Sequence, residues 1–339
     1  MKRLDHKLAR IRAGQYTKSD FIIADAKDPD MGPSLTACGP HRQRDGSWSR
    51  YVTRREFLDN VAAVVNQDIV DVMLLSPSNL EVLVEDGVFA KSRVKPAIRA
   101  NDTSDVWRVR GGAYHIQPSR PFRTANLARV MSGSAVPNPE APITGTDLGL
   151  YSVTFNNDLD ADIASLEAFA EFRADCAANG FKYFFEVFNP NVDSRMDPAL
   201  VPFYVNDCIL RCLAGMMSAD RPQFLKIPYN GPKALEELAS FDPSLIVGVL
   251  GGGAGTTRDC FELLQQAEKY GARVALFGRK INLAEDPLAM VALMRQVADG
   301  DVSPVEAVKA YHGGLAKSGI TTIRTLADDN VITEAPLKH

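Results

Sequence analysis

A (β/α)₈ barrel is the fold class this chain predicts, and three features carry that expectation. Short apolar runs recur eight times, stretches of helical periodicity lie between most of them, and 339 residues suit one barrel with inserted loops. The runs are Phe21–Asp25, Val70–Leu75, Val94–Arg99, Leu148–Phe155, Tyr183–Phe188, Gln223–Pro228, Ser244–Leu250 and Arg273–Phe277. All are rich in β-branched, aromatic or leucine side chains, as buried parallel strands are. Strands alternating with helices imply right-handed crossovers and a parallel sheet, and eight units suggest closure. An open doubly wound sheet is the alternative.

The intervening helices follow from their end signals. Thr53 opens one, with Glu56 three residues on, the reciprocal pattern of a capping box. Asp160–Asn179 carries apolar residues at helical spacing and stops at Gly180. Pro198–Ser218, Thr257–Tyr270, Pro287–Asp299 and Val302–Leu315 complete the set. The expected organisation is one barrel domain over 1–339, interrupted by polar loops at about 27–52 and 100–146. Both insertions follow strands, which puts them on the face where barrel active sites form, as lids or as subunit contacts.

Bulk composition excludes several classes. Hydrophobic residues make up 45% and charged residues 24%, the balance of a globular chain rather than a disordered one. A net charge of −4 and a pI near 5.8 give no general attraction to nucleic acid or to an anionic membrane surface. The apolar runs are far too short to span a bilayer. The N-terminus, MKRLDHKLARIRAG, has no apolar core of a secretory signal, and Asp5 weighs against a transit peptide. Five cysteines without a C-x-x-C pair read as reduced thiols, hence a cytoplasmic protein. His41, His115 and His312 are scattered and show no metal-ligand spacing, so no metal is expected. The GGGAG run fits neither a dinucleotide fingerprint nor a Walker A loop, and no other cofactor is expected.

Chemistry is carried by charged residues embedded in apolar strands. Lys226 interrupts the run QFLKIP, Glu186 interrupts YFFEVF, and Asp25 ends FIIAD. Each has a bland alternative: a Lys that snorkels to solvent, and carboxylates in rim salt bridges. On three strand ends of one barrel, however, they converge on one face. Burial favours a neutral amine, which attacks a carbonyl, while carboxylates move the protons that imine formation and C–C cleavage require. The turns after the seventh and eighth strands hold Gly251, Gly252, Gly253, Gly278 and Arg279, the place where barrels commonly seat a phosphate. Tight βα turns without a ligand are the bland alternative. Ser76, Arg99 and Asn101, near the ends of strands two and three, are candidates for substrate hydroxyls.

In order, an Asp-ending first strand, FFEV, FLKIP, GGG-x-G and FGRKIN resemble the DeoC/LacD class I aldolase family. That family includes tagatose-bisphosphate aldolases, archaeal-type fructose-bisphosphate aldolases, sulfofructose-phosphate aldolases and the thiolase of autoinducer-2 breakdown. The pattern is closest to the tagatose-bisphosphate and sulfofructose-phosphate members. It spans about Phe21 to Val297 and is densest from Tyr183. The resemblance implies that Lys226 forms a Schiff base with a phosphorylated or otherwise anionic keto substrate, assisted by Glu186. It places the strand-one aspartate at Asp25, with Asp28 as the alternative, and phosphate on the glycine turns. It also implies a homo-oligomer. The archaeal fructose-bisphosphate type has a Tyr near strand five, where this chain has Phe185, Val187 and Phe188. The first loop, ADAKDPDMGPS, and the Ala100–Thr146 insertion also depart from the family pattern. Both bear on substrate choice, so the resemblance carries the fold and the lysine, not the substrate. A transaldolase, a thiolase-like acyl transferase or a dehydratase would share the first covalent step. A barrel that binds sugar phosphate without turnover would share only the pocket.

Overall fold

The computed structural model describes residues 2–253 and 255–338. Eight parallel strands form the centre: β1 (Ile22–Lys27), β2 (Val72–Leu75), β3 (Lys95–Arg99), β4 (Leu148–Thr154), β5 (Lys182–Phe188), β6 (Leu225–Lys226), β7 (Gly248–Leu250) and β8 (Val274–Phe277). Their order around the sheet is β6-β5-β4-β3-β2-β1-β8-β7. Closure comes from a parallel bridge between Ile227 and Val249. Leu225 N–H donates to Ile246 O at 2.8 Å, and Ile227 N–H to Gly248 O at 2.9 Å. The chain is therefore a (β/α)₈ barrel and not an open sheet.

Period-two alternation divides each strand between two cores. One face packs Ile22, Ala24, Val72, Leu74, Ala97, Leu148, Leu150, Phe184, Phe224, Ile246, Val274 and Leu276 inside the barrel. The other packs Ile23, Met73, Ile98, Tyr151, Phe185, Val249 and Phe277 against the surrounding helices. Helix ends follow their sequence signals closely. Thr53 and Glu56 cap Arg54–Gln67 reciprocally, and Gly180 closes Leu159–Asn179 in the left-handed region at φ 68°.

Three helices of nine or more residues were not read from the sequence. Pro77–Glu85 and Pro232–Phe241 are the short crossovers after β2 and β6. The third, Arg3–Arg12, lies in the basic N-terminal segment. It closes the N-terminal mouth of the barrel, with Leu4 and Leu8 in the interior core. Lys7 Nζ donates to Phe21 O and Asp71 Oδ2, each at 2.9 Å, just ahead of β1 and β2. The insertions hold short elements of their own. Pro40–Arg42 pairs antiparallel with Trp48–Tyr51, and Asp102–Thr103 with Pro121–Phe122. Among the described residues, no helix is long and apolar enough to cross a membrane.

Leu8→Ala is expected to lower unfolding free energy by about 2–5 kcal/mol, because it empties part of the interior core. Urea denaturation measures this. A loss below about 0.5 kcal/mol, normal for a surface site, would show that the helix is not a structural plug.

Candidate active site

Side chains at the C-terminal end of the barrel are placed by strand register. Ser152 on β4 lies level with Glu186 on β5, and Glu186 with Lys226 on β6. Residues level on neighbouring parallel strands share a face, and these continue the interior faces of Leu150, Phe184 and Phe224. Three polar side chains thus meet side by side at the top of an apolar interior.

Their contacts form one network. Lys226 Nζ lies 2.6 Å from Glu186 Oε1. The second carboxylate oxygen accepts from Ser152 Oγ at 2.5 Å and faces Arg99 Nη2 at 3.7 Å. Arg99 in turn donates through Nε to Asp28 Oδ2 at 2.5 Å and through Nη1 to Ser152 Oγ at 3.3 Å. Lys226 is 6% exposed and Glu186 1%. Charges so enclosed persist only when paired, and here they are. Burial works against the Arg99 charge, but Asp28, Glu186 and Asp102 outweigh it and hold the guanidinium firmly charged. Asp102 is pushed up to about 6, chiefly by burial, with Arg99 opposing.

Asp25 does not join this network. It is level with Met73 and Phe277, both on the outer face, and its partner is Lys27 Nζ at 3.5 Å. Lys27 continues outward to Asn282 Oδ1 at 3.4 Å. Fully buried, Asp25 is pushed up to about 6 by desolvation, partly offset by Lys27. The aspartate that reaches the interior network is Asp28, three residues later and beyond the strand end. The reason is alternation: positions 22, 24 and 26 face inward, so 25 faces the helix layer.

The other expected residues divide similarly. Asn101 clasps the β4 backbone, accepting from Ser152 N–H at 2.7 Å and donating to Ser152 O at 2.8 Å. It positions Ser152, with both amide functions engaged. Ser76 caps the Pro77–Glu85 helix and donates to Asp30 at 2.6 Å, apart from the Lys226 network. Gly251 N–H is taken by Leu276 O at 2.7 Å, and a Cβ there would fall 2.6 Å from the Phe277 ring. A Cβ on Gly278 would fall 2.9 Å from Ala26 O. Both glycines are needed for close backbone packing. Arg279 donates to Gly252 O at 2.8 Å. A Cβ on Gly253 would lie 3.7 Å from Oε1 of Glu334, in the C-terminal segment. Ala254, within the GGGAG run, lies outside the described residues.

Sequence reasoning passed over Ser152 and Asp102. Ser152 carried the same signal as Lys226 and Glu186, a polar residue inside an apolar strand (LGLYSVTF). Asp102 carried none. Among the described residues, no group of three or more His, Cys, Asp or Glu is arranged to hold a metal ion.

No known family pattern matches the chain, and no curated protein matches it in sequence. Solved structures do resemble it in shape. An archaeal fructose 1,6-bisphosphate aldolase superposes with a TM-score of 0.59 at 13% identity, over 88% of this chain and 99% of its own. Another archaeal fructose-1,6-bisphosphate aldolase structure, with its catalytic Lys covalently bound to the carbinolamine intermediate, gives 0.61 at 13%, over 88% and 100%. The fructose-bisphosphate aldolase from Slackia heliotrinireducens gives 0.65 at 10%, over 93% and 92%. At these identities the likeness is one of fold.

Two substitutions separate the aspartates. Asp28→Asn should slow chemistry at Lys226, because it frees Arg99. Asp25→Asn should leave the rate intact while destabilising the fold by about 3–5 kcal/mol, the cost of stranding one buried charge. Rates of amine modification at Lys226, set beside thermal melts, check both; the reverse pattern would return the site role to Asp25.

Proposed function

We propose that the protein is a class I aldolase, cleaving or forming a C–C bond in a keto compound through a Schiff base on Lys226. The observation that carries this reading is the buried pair of Lys226 and Glu186 at 2.6 Å, at the top of the barrel and backed by Ser152 and Arg99. A structural salt bridge has no need of that location, where βα loops converge and a ligand enters.

Glu186 is placed to accept a proton from the Lys226 ammonium, leaving a neutral amine. The amine adds to the substrate carbonyl carbon, giving a carbinolamine. Loss of hydroxide as water, with a proton supplied by Glu186, gives the iminium. The iminium then draws electrons from the adjoining C–C bond. Glu186 takes the proton from the hydroxyl on the far carbon, the bond breaks, and an aldehyde leaves. The enamine left on Lys226 takes a proton at carbon, and water releases the ketone and restores the amine. Ser152 and Arg99 hold the second Glu186 oxygen, which leaves the first aimed at Lys226. We assign to Asp28, acting through Arg99, the positioning role expected of Asp25. The lysine supplies the electron sink, so the steps call on no cofactor. The superposed aldolase whose catalytic Lys carries a carbinolamine supports the choice of chemistry.

Borohydride reduction in the presence of dihydroxyacetone, pyruvate or a ketose should add the mass of the reduced adduct to the peptide containing Lys226. Glu186→Gln should still fold and should lower kcat by about 10²–10⁴. Trapping at another lysine, or aldol activity that survives Lys226→Ala, would overturn the mechanism. Product analysis separates the aldolase from a transaldolase or dehydratase using the same amine.

A further inference from the structure

The turns after β7 and β8 carry an arrangement of carboxylates that the Schiff-base steps leave unused. Beyond the Pro304–Lys317 helix, the chain returns across these turns and buries Leu337 to 2% exposure. Several anchors hold this return. Asp259, in the first turn of the Thr257–Lys269 helix, accepts from Thr333 N–H at 2.7 Å, Thr333 Oγ1 at 2.5 Å and Glu334 N–H at 3.2 Å. Thr256 Oγ1 donates to Val331 O at 2.7 Å. Thr257 N–H donates to Asp329 at 2.8 Å, and His312 Nε2 lies 3.0 Å from the same carboxylate. Gln266 Nε2 donates to Leu337 O at 3.0 Å.

These anchors deliver the Glu334 carboxylate to the glycine turn. A Cβ on Gly253 would lie 3.7 Å from Glu334 Oε1, and one on Gly255 3.2 Å from the same oxygen. Gly252, left-handed at φ +64°, leaves the space it occupies: a Cβ there would lie 3.1 Å from Glu334 Oε2. A backbone N–H in a glycine turn, beside a helix N-terminus, is where barrels of this layout seat a phosphate. Here a carboxylate of the chain itself fills that place. Several neighbouring donors are also engaged: Thr256 N–H by Asp259, Thr257 N–H by Asp329, Gly251 N–H by Leu276 O, and Arg279 by Gly252 O.

We propose that Glu334 is a specificity-determining residue. Its carboxylate takes the position that a substrate phosphate would need, so the preferred carbonyl substrate ends in an uncharged group at the β7–β8 turns. A phosphate brought there meets Glu334, Asp259 and Asp329 as like charges, with Arg279 and Lys280 as the opposing cations, and finds Gly251, Thr256 and Thr257 N–H already paired. The tail acts as a wall rather than a removable strap, because its anchors are buried and Leu337 is part of the core. Substrate choice, as stated, rests on the Schiff-base reading; occupation of the anion seat does not.

Two measurements test this on the full chain, with Glu334→Ala and Glu334→Gln checked for folding by circular dichroism and melting temperature. The first is calorimetric titration with inorganic phosphate. Both variants should bind it at least about tenfold more tightly than the parent chain, since a like charge is removed. The second compares borohydride trapping of dihydroxyacetone with that of dihydroxyacetone phosphate. The parent should favour the unphosphorylated ketone, and the variants should shift toward the phosphate ester by a similar factor. A parent that binds phosphate as tightly as the variants overturns the proposal, since the tail would then be displaceable. Folded variants with no gain in phosphate affinity overturn it as well. A gain in phosphate affinity with no trapping of either ketone, of pyruvate or of a ketose upholds the occupied seat and overturns the aldolase reading.

Discussion

The ion pair between Lys226 and Glu186 is the constraint on which the rest of the site depends. Two charges taken out of water cost several kcal/mol each unless geometry and hydrogen bonding compensate. Compensation comes from three neighbouring strands. Register brings Ser152, Glu186 and Lys226 level, and the Glu186 oxygens are divided between Lys226 on one side and Ser152 with Arg99 on the other. Arg99 in turn needs Asp28, and the β4 backbone needs Asn101 to hold Ser152 in place. The insertion after β1 supplies Asp28, and the segment entering the β3 insertion supplies Asn101 and Asp102. Neither insertion is a mere appendage on the barrel.

Alternation explains the contrast between two aspartates only three positions apart. Asp25 lies within β1 and follows the strand's period, which turns it toward the helices and leaves Lys27 as its ionic partner. Asp28 lies past the strand end, where the chain has turned and can cover the barrel mouth. Reading an aspartate at a strand end as an active-site residue is reasonable on composition. The face on which it lies depends on where the strand begins, and an offset of one residue reverses it.

The C-terminal segment changes the meaning of the glycine turns. As sequence, GGG-x-G followed by a helix reads as a seat for an anion. In the folded chain one anion is already present, brought about eighty positions along the sequence and pinned by Asp259 and Leu337. The same turns also serve packing, since Gly251 and Gly278 have no space for a Cβ. Local sequence carries the potential of such a turn; long-range contacts decide whether it is open.

The sequence by itself determined the eight alternating strand and helix units that predict a barrel, the placement of all eight strands to within a few residues, and the embedding of Lys226 and Glu186 in apolar strands. These are local properties: periodicity, end signals, and the cost of a charge among apolar neighbours. Closure of the sheet was left to the tertiary contacts between β6 and β7. The N-terminal helix carries a local signal in Leu4, Leu8 and Ile11 at helical spacing, but nothing local says that this helix plugs the barrel. Only tertiary structure decided that Lys226 and Glu186 touch, that Ser152 and Arg99 hold them, that Asp28 and not Asp25 reaches them, and that Glu334 fills the glycine turn. Each of those depends on register between strands or on contacts between distant segments. Such facts are set by how the whole chain closes, and no window of sequence contains them.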